Sequence, residues 1–113
     1  MSTKAITTNT SPASTATTAD GYRLPDQTTL QHAVKLSILD DKPILLDYWV
    51  GSIDKTVLVG FKESTSEKLL VKSEEEYTSP ISKIYRINKD FIIATENSIY
   101  IVDKDIPSKR ISN

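Results

Sequence analysis

The chemistry open to this chain is that of carboxylates, hydroxyls, amines and aromatic rings, because it carries a single histidine, His32, and no cysteine. Disulfides, thiolate catalysis and cysteine-ligated zinc are therefore excluded, and the fold must stand on packing and hydrogen bonds. His32 sits beside Ala33 and Val34 in a helical stretch, and no Gly-x-Ser-x-Gly turn offers a serine nucleophile to it. A structural or solvent-facing role is expected for it. Among the carboxylates, only Asp47, inside the apolar run ILLDYWV, has a local environment that could perturb it. Acid/base catalysis needs a second carboxylate in a contrasting setting, and none is evident. Glu74 to Glu76 are consecutive, whereas a calcium loop spaces its ligands at alternate positions around a turn glycine. Asp103-Lys104-Asp105 is too short for a metal motif. The three glycines, Gly21, Gly51 and Gly60, are too far apart for a phosphate-binding loop. No catalytic residue, metal or cofactor is expected, and the chain reads as a non-enzyme.

Aromatic side chains remain as interaction candidates. Tyr48 and Trp49 are adjacent in a run expected to be a strand, so they should point to opposite faces, one into the core and the other exposed or shielded. Core packing is the better reading for Trp49. Tyr77, in the polar stretch SEEEYTSP before Pro80, is harder to explain by local burial. Tyr48, Trp49 and Tyr77 are thus the candidate interaction residues. With 14 basic against 15 acidic residues, the chain lacks the overall basic footprint of a nucleic-acid binder.

These residues must be positioned by few elements. Residues 1–20 are almost entirely Ser, Thr, Ala, Asn and Pro, with Ile6 the one large apolar side chain after Met1, and read as a flexible arm. Residues 21–113 read as one small domain, which Tyr22, Leu24 and Pro25 could pin at its entry. A helix is expected over about 28–39, with Thr28 and Gln31 as a capping box and Leu30, Ala33, Val34 and Ile38 on the buried face; Pro43 requires it to stop before Asp40-Asp41-Lys42. Beyond it, KPILLDYWV, TVLVGFK, EKLLVK, PISKIYRI, DFIIAT and SIYIV have the β-branched and aromatic composition of strands. Turns are expected at Gly51 to Asp54 and Glu63 to Ser66, and a hairpin at Glu96-Asn97, where asparagine tolerates positive φ. Parallel pairing would need long crossovers, for which no residues are available. Residues 104–113 read as a polar tail in which Ile106 and Ile111 can dock.

The expected class is α+β, mainly β: one N-terminal helix packed on an antiparallel meander or small barrel of five to six strands. That is the size class of SH3-like, Sm-like and OB barrels, a likeness of fold that implies no activity. No segment approaches a membrane span. The start of the chain lacks a secretory pattern, so a cytoplasmic or otherwise intracellular location, or one in a virion, is expected. The functional expectation is a structural or interaction module that docks, with a protein partner or with itself, through its sheet edge and its arm, as in a minor capsid or virion accessory subunit. The alternative is a small barrel binding single-stranded nucleic acid through Trp49 or Tyr48 with Lys55, Lys62, Lys68 and Lys72.

Overall fold

The computed structural model describes residues 23–111, so the expected arm lies outside the described residues. Helix α1 spans Gln27–Asp40. Pro43 does end it: Asp41 adopts φ 53° and returns its N–H to the Ser37 carbonyl. The capping box does not form. Asp26 is the N-cap, without a side-chain cap bond, and the Thr29 hydroxyl instead reaches Asp90 at 2.7 Å. That bond sets the rotation of the helix, burying Thr29 and Ala33 with Leu30 and Leu36 packed beside them, and leaving Val34, Ile38 and Leu39 exposed. The buried face is turned by about a quarter of a turn from the one periodicity suggests.

The run KPILLDYWV is not one strand. Only Ile44–Leu45 (β1) is extended, after which Trp49 donates its N–H to the Leu46 carbonyl and Trp49–Ile53 forms a short helix, α2. The turn expected at Gly51 to Asp54 is thus mostly helical. Tyr48 and Trp49 still diverge, and both are buried, because the chain bends between two cores.

The remaining strands are β2 (Leu58–Lys62), β3 (Glu67–Val71), β4 (Ile81–Ile87), β5 (Asp90–Thr95), β6 (Ile99–Asp103) and β7 (Ser108–Ile111). They form a four-stranded sheet of order β1-β6-β5-β4 and a three-stranded sheet of order β3-β2-β7. The strands β4, β5 and β6 make the expected antiparallel meander. No closed barrel forms. Two ladders are parallel, β1 with β6 and β2 with β7, contrary to expectation. The long crossovers they require consist of the intervening strands themselves, which switch from one sheet to the other. The tail supplies β7, and Ile106 enters the core.

Register divides the apolar residues between two layers. Ile93 and Val102 face the second sheet, where Tyr48, Val57, Val59, Leu70 and Ile106 meet them. Ile92, Ile99 and Ile101 face α1 and α2, under Ala33 and Trp49. The molecule is thus layered helix, sheet, sheet, and β5 is apolar on both faces because both are covered. Gly60 lies where a Cβ would come within 2.8 Å of Ile111 and 3.0 Å of Val71, so its missing side chain lets these two close over the outer face of the second sheet.

Left-handed residues stand in two other hairpins, Ser66 at φ 59° between β2 and β3 and Asn88 at φ 54° between β4 and β5; Asn97 is not in that conformation. Asn88→Ala is expected to cost about 1 kcal/mol, because a β-carbon is disfavoured there, and Asn88→Gly to be near neutral. Urea denaturation of the two variants distinguishes these outcomes.

Candidate functional site

The most connected polar group among the described residues is built around the first of them, Arg23. Asp90 and Asp103 begin β5 and end β6 and stand directly opposite one another in the ladder. Both are buried. Like charges facing across a ladder repel, and burial strengthens the repulsion. Arg23 resolves it: one Nη2 donates to Asp90 Oδ1 at 2.7 Å and to Asp103 Oδ2 at 3.1 Å, and also to the Lys89 carbonyl at 3.1 Å. Its guanidinium lies 4.8 Å from the centroid of the Trp49 ring. The Trp49 indole N–H donates in turn to the Arg23 carbonyl at 2.8 Å. Side chain and backbone of Arg23 are therefore both gripped.

The remaining carboxylate oxygens are occupied as well. Asp90 Oδ2 accepts from the Asp26 N–H at 2.9 Å and the Thr29 hydroxyl at 2.7 Å, which places a negative charge at the start of α1, where the helix dipole favours it. Asp103 Oδ1 accepts from the Asp105 N–H at 2.7 Å and from Lys55 at 3.4 Å. Ser52 completes the support, accepting from the Asp103 N–H and donating to the Trp49 carbonyl. All four carboxylate oxygens thus hold protein donors, the chemistry of a clamp that fixes the root of the N-terminal segment. Among the described residues, no group of three His, Cys, Asp or Glu could hold a metal ion.

Burial pushes the Asp103 carboxyl up, but the Asp105 amide, Arg23 and Lys55 together outweigh it, and its pKa falls below the ordinary value. For Arg23, burial acts downward and the two aspartates more than offset it, so its pKa is raised. Burial first, then the charge of Glu76, pushes the Tyr48 hydroxyl up to about 12. The signs define two windows. Asp103 binds its proton more weakly folded than unfolded, so its contribution is present above the unfolded carboxyl value and is lost as pH falls through the folded one. Tyr48 keeps its proton longer when folded, so stability falls as pH rises between about 10 and 12. Thermal melts across pH should show decline at both ends, with Asp103→Asn flattening the acid limb and Tyr48→Phe the alkaline one.

The three aromatic candidates do not converge. Tyr48 is enclosed between the sheets, its ring edge-on to Tyr100 at 5.3 Å. Trp49 lies in the helix-side core. Tyr77 is 57% exposed on the connection between β3 and β4, its backbone bridging to Val71. His32, Asp47 and Glu74 to Glu76 are exposed and scattered. Arg23 and Asp90 escaped sequence reasoning, although one signal was present: folding FIIATENSIYIV about its hairpin sets Asp90 opposite Asp103 and so demands a cation.

A second feature is the outer edge of β4. Among the described residues this seven-residue strand ends its sheet, and none of Lys83, Arg86 and Lys89 has an acidic partner there. Lys83 lies 5.9 Å from the centroid of the Tyr85 ring. Compared with known proteins, the chain matches no family model, and no curated protein or solved structure matches it significantly. No helix among the described residues is long and apolar enough to cross a membrane.

Proposed function

We propose that this protein is a non-enzymatic interaction subunit that docks into a larger assembly through the outer edge of β4 and through the segment preceding Arg23. The observation that carries this reading is that Arg23, the first described residue, is clamped to the Lys89 carbonyl in the β4–β5 turn, at the end of the edge strand. An edge strand offers a row of outward N–H and C=O groups ready to pair with another chain. In the nucleic-acid alternative, Trp49 or Tyr48 would stack on bases, but both rings are 5% exposed and leave no open face.

Sedimentation of the tagged chain in extract of its native cells tests the reading. The full chain is expected in a complex well above its own 12.6 kDa. A chain beginning at Gly21 and an Arg86→Pro variant are each expected to be released from that complex. If all three sediment as the lone chain, the docking role is wrong.

A further inference from the structure

We propose, given that docking role, that the outer edge of β4 takes an acidic, extended segment of a partner protein, added as a further strand of the four-stranded sheet. Charge complementarity selects this occupant. Residues 81–89, ISKIYRINK, hold three cations and no acid, and Lys83, Arg86 and Lys89 make no ion pair among the described residues. A second copy of the same edge would bring six uncompensated positive charges together, and edge lysines ordinarily discourage such self-pairing. An acidic strand would neutralise them.

Register fixes what that strand must present. Ile84 pairs with Ile93 and Arg86 with Phe91, on the face toward the second sheet; Lys83 pairs with Ala94 and Tyr85 with Ile92, on the helix side. The two cations are therefore on opposite faces, with the exposed Ile84 between them. Side chains alternate along an added strand too, so two acidic residues three apart would meet Lys83 and Arg86 on their respective faces. The two-residue turn Asn88-Lys89 closes the β4–β5 pair at Ile87 and Asp90, which directs the N–H and C=O of Ile84 and Arg86 away from β5 and toward the newcomer. Main-chain bonds would supply affinity and the cations the selection.

The test uses the full chain, isotopically labelled, and a short Thr/Val peptide carrying two glutamates three residues apart, with a lysine counterpart as control. The glutamate peptide is expected to bind at low salt, shifting and protecting the amides of Ile84 and Arg86, and to weaken as salt rises. The double variant Lys83→Glu with Arg86→Glu should lose about tenfold in affinity for it and prefer the lysine peptide. Arg86→Pro, which removes an outward N–H, should bind neither; the charge reversal decides the matter if that variant fails to fold. Equal binding of both peptides, or none, overturns the acidic partner. So does a dimer abolished by Arg86→Pro, which would assign the edge to a second copy, or stronger shifts of these amides by oligothymidine. If Arg86→Pro is released from native complexes while the glutamate peptide does not bind, docking at the edge survives and its acidic partner does not; if there is neither release nor binding, both fall.

Discussion

Arg23→Ala is expected to destabilise the fold by about 3–5 kcal/mol, because it removes the shared cation and leaves two buried carboxylates facing each other. For a domain of this size the whole stability is about 5–15 kcal/mol, and each kcal/mol moves the melting temperature by about 4–8 °C. A substantial fraction unfolded at ambient temperature is the anticipated result. The pH dependence should also weaken. In the native chain Arg23 is one of three donors that hold Asp103 below its ordinary value, and acid removes that stability; in the variant only the Asp105 amide and Lys55 remain to oppose burial, so less stability is lost to acid. Melts of both proteins from neutral pH down to about pH 4 should show a shallower acid slope in the variant. Arg23→Met with Asp90→Asn, which removes opposite charges together, should cost less than Arg23→Ala alone. Parallel slopes in the two proteins would show that the guanidinium does not neutralise this pair.

Trp49→Ala is expected to cost a similar amount, about 3–5 kcal/mol, through the cavity it leaves beneath α1. Trp49→Phe retains much of the packing and loses the indole N–H to the Arg23 carbonyl, worth about 1 kcal/mol. Because Trp49 touches Arg23 through both its ring and its N–H, the Trp49 and Arg23 substitutions should not add. A double-mutant cycle should return a coupling of about 0.5–3 kcal/mol. Trp49 is the chain's one tryptophan, so its emission reports the clamp directly and should shift to the red in Arg23→Ala. Strict additivity with unchanged emission would mean that the two side chains do not act together.

Elements dominated by local chemistry were legible in the sequence, and elements set by distant contacts were not. DFIIAT and SIYIV are β-branched on both faces and do form β5 and β6, the covered centre of their sheet. Pro43 marks the end of α1 whatever surrounds it. The rotation of α1 depends on Thr29 meeting Asp90, 61 residues away, and helical spacing alone chooses between two apolar stripes wrongly. Tyr48 and Trp49 have strong strand propensity, yet the bend into α2 buries one ring in each core, and that gain outweighs propensity. The parallel ladders join strands distant in sequence, to which periodicity is blind. The clamp combines both lessons. Its carboxylates follow from hairpin register, whereas Arg23 lies 67 and 80 residues from its partners, and nothing around it in the sequence marks it out.

The central claim, docking through the outer edge of β4, is tested most directly by a photo-crosslinking amino acid at position 84, compared with one at the exposed position 65, in native cells. A discrete protein adduct from position 84, absent from position 65, is the expected result. Adducts to nucleic acid alone, or the same adducts from both positions, would contradict it.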